Sequence, residues 1–173
     1  MFVCSVPRRP VTLLRFALHL LAAFALAALA AACGPGYLDA AKKVPASDQN
    51  KQVYEVVKAY HAAVENKDVE SLRKMISQRY YENGGTTDDA TDDYGYDKCI
   101  QRVEMLVKNV KRAQLKIRLV DLQVTGDEAA VDYQYVGRAL LSEGNVDAYR
   151  TYDSFSRMKL ALESGHWMIT GGL

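Results

Sequence analysis

Val53, Val57, Tyr60 and Val64 recur three or four residues apart, the spacing that places side chains on one face of a helix. Ser47 or Asp48 stands where an N-cap belongs, and Asn66-Lys67-Asp68 interrupts the stripe before Val69, Leu72 and Ile76 start another. Asp68 is suited to cap that second helix. A third stripe, Ile100, Val103, Val107 and Val110, predicts a helix from about Tyr96. Between the second and third helices, Arg79 to Glu82 reads as a short β piece and Asn83 to Asp97 as a polar, acidic loop. After the third helix the period falls to two. Leu115, Ile117 and Leu119 alternate with polar neighbours while Leu122 and Val124 continue on the opposite phase, which predicts a bulge near Leu119-Val120. Thr125-Gly126-Asp127-Glu128 turns the chain into a strand with Val131, Tyr133, Tyr135 and Gly137 on one face. Ser142 to Asn145 turns it into a long strand over Ala148 to Glu163, and Ser164-Gly165 leads to Trp167-Met168-Ile169-Thr170. Three helices followed by hairpin-linked strands make an α+β domain with a mainly antiparallel sheet.

Ahead of this domain the pattern is different. Arg8, Arg9 and Arg15 precede an uncharged, Ala- and Leu-rich run from Phe16 to Ala32, and Cys33-Gly34-Pro35-Gly36 follows at once. A charged start, an apolar middle and small residues at the exit describe a secretory signal. Cys33 directly after that exit resembles the lipobox of bacterial lipoproteins, which implies that its thiol is acylated, for example with palmitate, and holds the mature chain in a membrane. Simple cleavage and an uncleaved anchor are the alternatives. Gly34 after the Cys is similar to lipoproteins sent to the outer membrane, which implies a periplasm-facing place in the cell envelope. The division expected is a signal peptide over 1–32, a lipidated, solvated tether over 33–47 and a globular domain over 48–173.

With three of the 22 basic side chains in the leader and none of the 21 acids, the exported part carries a net charge near −2. That balance excludes nucleic acid as the natural partner. Cys4 leaves with the leader and Cys33 is the lipidation site, so Cys99 has no partner for an intramolecular disulfide. Next to Ile100 on a helix, it is expected to be a small buried hydrophobe.

Val57-Lys58-Ala59-Tyr60-His61-Ala62-Ala63 followed by Asn66-Lys67-Asp68-Val69-Glu70-Ser71-Leu72, the hairpin Val124 to Val131, and the closing Gly165-His166-Trp167-Met168-Ile169 together resemble the NTF2-like superfamily, which includes SnoaL-like cyclases and ketosteroid isomerases. The resemblance spans nearly the whole exported domain. It implies a strongly bent sheet closed into a cone by the helices, with a pocket inside, and homodimers through the outer face of the sheet. Tyr60, His61, Tyr133, Tyr135, Tyr152 and Trp167 are the candidate pocket residues. Eleven Tyr against four Phe suits a small, partly apolar ligand met by a few hydroxyls, although rings that simply fill a core give the same pattern. His61 sits beside the buried stripe and is expected at its boundary with one ring nitrogen in water.

An isomerase-like enzyme needs a carboxylate base inside the cone. The resemblance puts that base near Tyr80-Tyr81-Glu82, where Glu82 leads into a polar loop, and the strand position that carries an Asp in the isomerases holds Met158-Lys159 here. Asp132 and Asp153 fall on the outward phase. The acidic run Asp88, Asp89, Asp92, Asp93 and Asp97 lacks the alternating donors, central Gly and distal Glu of a calcium loop and is expected to stay solvated. The reading is a ligand-binding or accessory module with no catalytic residue, metal or cofactor, the alternatives being an isomerase-like enzyme with a carboxylate base and a sheet-mediated structural or interaction protein, and Val136, Leu140, Tyr149 and Phe155 mark an outer sheet face for a second copy or an envelope partner.

Overall fold

The first apolar stripe is the inner face of α1 (Asp48–Asn66). Its N-cap is Ser47, whose Oγ accepts from the Asn50 N–H at 3.2 Å, and it stops where Lys67 turns left-handed at φ 59°. Asp68 accepts from both the N–H and the hydroxyl of Ser71, at 3.0 and 2.6 Å, and starts α2 (Val69–Met75). Each such cap is worth about 1 kcal/mol. The chain is seen as a computed structural model that describes residues 36–41, 43–84, 90–143 and 146–173.

A two-residue strand, β1 (Tyr81–Glu82), pairs antiparallel with β2 (Tyr94–Gly95). β2 is a departure from the expected uninterrupted loop: Tyr94 is buried in the core and its ring lies under the Arg102 guanidinium at 4.0 Å. α3 (Tyr96–Asn109) follows directly and buries Cys99, Ile100, Val103 and Val107. Val110, expected on the helical stripe, is instead both the C-cap of α3 and the first residue of β3 (Val110–Thr125). β4 (Glu128–Glu143), β5 (Val146–Glu163) and β6 (His166–Gly171) complete a four-stranded antiparallel sheet in the order β3-β4-β5-β6.

The sheet has the irregularities that a strong bend requires. The β3/β4 register shifts between Leu119 and Asp121, where the change of phase predicted it, and the β5/β6 register shifts between Lys159 and Leu160. At Gly137 a Cβ would overlap the Gln114 carbonyl oxygen of the neighbouring strand, so only glycine fits this inner position. β6 pairs only with the Lys159–Glu163 end of β5. At that end Val53, Val57, Leu72, Val131, Met158 and Ile169 pack into a solid core, each at most marginally exposed. Cys99 is buried there too, as expected, and desolvation pushes its thiol up to about 11.

The compact unit begins before the first helix. Residues 36–47 were expected to be a solvated tether, but Val44 is 1% exposed and belongs to the core, with Leu38 packed against it. Backbone bonds Leu38 N–H to Val44 C=O and Ala46 N–H to Gly36 C=O close this segment on itself. Asp39 Oδ1 accepts from the Lys43 and Val44 N–H groups at 2.9 and 2.7 Å. The Gly-Pro and Lys-Lys composition hid one apolar residue with a hole to fill. Val44→Ala removes two methyl-sized groups from that hole and is expected to lower stability by about 2 kcal/mol, read as a shift in the urea midpoint. A tether in water would show no shift.

Candidate functional site

The end of the sheet beyond the reach of β6 is not filled. A cavity of about 230 Å³ opens there, and Tyr60, His61, Tyr133, Tyr135 and Tyr152 all line it. α1 delivers Tyr60 and His61 on its last two turns. β4 and β5 deliver the other rings by strict alternation, since Tyr133 stands opposite Leu119 and Ser156, Tyr135 opposite Ile117 and Ser154, and Tyr152 opposite Gly137. Leu106, Leu115, Ala139 and Ser156 complete much of the wall, and Gly172-Leu173 folds back to form its floor. There the Tyr94 hydroxyl donates to the Leu173 carbonyl at 2.8 Å and the Leu173 N–H donates to the Tyr80 oxygen at 3.0 Å.

The rings form one connected cluster. His61 meets Tyr133 edge-on with centroids 5.1 Å apart and Tyr60 edge-on at 5.4 Å, while Tyr135 lies 6.2 Å from His61 and 6.4 Å from both Tyr133 and Tyr152. Burial pushes the Tyr60 phenol well above its ordinary range, with the neighbouring Tyr133 adding to it. Burial raises Tyr133 too, partly offset by a hydrogen bond with Ser156. These hydroxyls stay protonated at any physiological pH.

His61 departs from its expected boundary position. It is 8% exposed, and neither Nδ1 nor Nε2 has a hydrogen-bond partner. Desolvation alone pulls its pKa down to about 4, so the imidazole is neutral at neutral pH. The extra turn of burial comes from the sheet: Tyr133 and Tyr135 rise to meet the side of α1 that periodicity places next to the stripe.

Trp167 does not join the other candidates. It is buried on β6 opposite Leu162, at the end of β5 remote from Tyr152, and its groove is shared with Met75, Glu163 and His166. Its alternation was read correctly, but alternation gives a face of the sheet and not a position along it. The signal peptide over 1–32, Cys33, Asp88, Asp89 and the turn residues Gly144-Asn145 lie outside the described residues.

No carboxylate, lysine or arginine side chain among the described residues lines the cavity. Glu82, at the position where a base was sought, accepts from the Gly172 N–H at 2.7 Å and so holds the floor of the cavity from beneath. Met158 is fully buried in the core. Asp132 is paired with Arg157 at 2.6 Å and Asp153 accepts from the Gln134 amide at 2.5 Å, both on the outer face. Hydrogen bonds hold Asp39, Asp68, Asp132 and Glu163 below the ordinary carboxylate range. No cluster of three metal-ligating side chains occurs, and no helix is long and apolar enough to cross a membrane, among the described residues.

Solved structures with the same architecture are numerous. A ketosteroid isomerase-like protein from Erwinia carotovora atroseptica superposes with a TM-score of 0.58 at 14% identity, covering 73% of this chain and 94% of its own. A candidate dehydratase of the NTF2-like family from Streptomyces avermitilis gives 0.55 at 14% identity, covering 70% of this chain and 91% of its own. The fold is NTF2-like. A conserved protein from Planctomyces limnophilus gives 0.60 at 11% identity over 72% of this chain and 92% of its own. No family model and no curated protein matches the sequence. At these identities the shared feature is the NTF2-like cone and not its contents.

The neutral His61 makes a pH prediction. Its folded pKa, about 4, lies below the ordinary 6.5, so the unfolded chain binds the proton more tightly and stability falls as pH drops from 6.5 toward 4. The full loss is on the order of 3 kcal/mol. The groups facing His61 are the phenols Tyr60, Tyr133 and Tyr135, which do not titrate in this window. Urea midpoints are expected to decline between pH 6.5 and 5 in the wild type and to stay level there in His61→Phe.

Proposed function

We propose that the protein is a lipid-anchored protein of the bacterial cell envelope whose NTF2-like domain binds a small, partly apolar ligand in its cone without converting it. The observation that carries the ligand reading is the open, ring-lined cavity itself, about 230 Å³ walled by Tyr60, His61, Tyr133, Tyr135 and Tyr152. A buried polar group left unpaired costs about 1–3 kcal/mol. His61 bears that cost beside the cavity, where a purely structural core would hold an apolar ring. The open volume favours a binder over a filled scaffold. Among the described residues no acidic side chain lines the cavity, so an isomerase-type reaction finds no side-chain base there.

The anchor rests on the sequence of the leader and Cys33, with the lipid placing the domain at the outer membrane facing the periplasm. The outer sheet face is the surface for a second copy. Phe155, Tyr149 and Val136 are 71%, 65% and 39% exposed there, and Lys116, Val136 and Asp153 lie in one row across β3, β4 and β5. A two-fold axis through that row would set Lys116 of each copy over Asp153 of the other.

Native mass spectrometry of the protein extracted from its own membrane tests the ligand, the lipid and the stoichiometry together. The expected spectrum shows acyl mass on the chain, a dimer, and a retained small molecule lost on collisional activation. A ligand-free spectrum from gently extracted protein would remove the binding reading. Separately, Cys33→Ser is expected to move the protein from the membrane pellet to the soluble fraction, and unchanged sedimentation would show that something other than an acyl chain holds it.

A further inference from the structure

The first residues of the domain decide how an anchor would hold it. A free chain from Cys33 to Ser47 would reach about 50 Å when fully extended, and a domain on it would turn freely above a bilayer. The fold removes most of that length. The Ala46 N–H donates to the Gly36 carbonyl at 2.7 Å, the Leu38 N–H donates to the Val44 carbonyl at 2.9 Å, and Tyr37 faces Pro45 across an antiparallel bridge. The chain is thus closed into a loop that brings it back to where it began. Val44 pins the loop into the core, and the Asn50 side-chain amide on α1 donates to the Pro45 carbonyl at 2.8 Å.

What remains between Cys33 and the loop is Gly34-Pro35. The distance from Cys33 to Gly36 is then at most about 10 Å, little more than one lipid headgroup layer of roughly 5–7 Å. The surface of the loop suits that contact. Tyr37 is 45% exposed, a ring with a polar tip of the kind that collects at membrane interfaces, and the exposed Lys43 offers a cation to lipid phosphates. The Asp39 carboxylate is turned onto the Lys43 and Val44 N–H groups, and Asp48 is paired with Lys51 at 3.6 Å, so the acids at this end are engaged within the domain.

α1 begins just after Ala46 and leads away from the loop. Its rise places Tyr60 and His61, in the cavity wall, about 18 Å along the helix from Asp48. Building on the reading that Cys33 is acylated, we infer that the closed loop over 36–46 is the membrane-contacting surface of the domain, holding the first turn of α1 at the lipid headgroups and keeping the cavity end of that helix off the bilayer.

Two reporters on α1 test this. Gln49→Cys and Asn66→Cys place exposed thiols near either end of the helix, about 25 Å apart by its rise. Cys99 is buried and the Cys33 thiol is acylated, so a fluorophore couples to the introduced site. The full chain would be extracted from its own membrane, its acyl mass checked, and reconstituted in phosphatidylethanolamine and phosphatidylglycerol vesicles in which part of the lipid carries a nitroxide on its headgroup. Quenching at Gln49→Cys is expected to exceed that at Asn66→Cys about threefold or more, given their separation along the helix. About twelve Gly and Ser residues inserted between Pro35 and Gly36 leave the loop intact and add a flexible reach of roughly 20 Å, and the two reporters should then be quenched nearly alike.

Equal quenching of the two reporters in the acylated protein, stronger quenching at Asn66→Cys, or a contrast that the insertion leaves unchanged would overturn the inference while the lipid anchor stands. If the intact mass shows no acyl group on Cys33, the anchor reading falls and the inference falls with it.

Discussion

Everything in this domain depends on how α1 seats in the bent sheet. Val53 and Val57 are fully excluded from solvent in one core cluster with Val131, Met158 and Ile169. The helix then runs on past the reach of β6, with α2 beside residues 59–66 on its other flank. There Tyr60, His61 and Val64 face the far portions of β3 to β5 together with Leu106 of α3 and the Gly172-Leu173 tail, and large rings stand apart at centroid distances of 5 to 6.5 Å. One helix is therefore core at its start and cavity wall at its end, and the cavity exists because the covering elements stop short of the strands they cover.

His61 shows the cost of that arrangement. A phenylalanine would satisfy the same aromatic neighbours with no stranded polar atoms, and an interior optimised for stability would favour it. Against a total stability of about 5–15 kcal/mol for a domain, two unpaired ring nitrogens are a sizeable deficit. The rest of the fold distributes its polar groups with more economy: Ser77, fully buried, donates to Glu163 at 2.6 Å and accepts from the Arg79 N–H, and the exposed ion pairs sit where solvent shares the load. The exception stands in the wall of the cavity, where binding sites commonly hold what stability alone would remove.

The sequence made the fold legible because helix stripes and strand alternation report a face directly. The positions of α1, α2 and α3, the hairpin turns and the bulge at Leu119-Val120 follow from spacing alone, and so does the inward phase of Tyr133, Tyr135 and Tyr152. Three features were hidden for separate physical reasons. Val44 is one apolar residue in a polar stretch, too little for any period to reveal. His61 occupies a boundary position on the helical wheel, and only the height of the opposing tyrosines decides that it is buried. Trp167 lies on the correct face, but how far along β5 its strand pairs is a matter of register between Leu162 and Leu160, which local sequence does not encode. The Gly172-Leu173 floor depends on Tyr80, Tyr94 and Glu82 reaching it from another part of the chain.

The bulge ties these observations together. Before it, Leu115, Ile117 and Leu119 face inward; after it, Leu122 and Val124 do, so one extra residue, Val120, switches the phase of β3 without disturbing β4. Since side chains alternate with a period of two, a slip by a single residue would exchange the two faces of a strand. Were Val120 paired in the ladder instead of bulged, Asp121 and Gln123 would face Val131 and its neighbours, and turning the strand over to bury Leu122 and Val124 would expose Leu115, Ile117 and Leu119. The core at one end and the cavity at the other can therefore coexist on the same three strands only with the bulge where it is, which makes its position as much a determinant of the site as any residue that lines it.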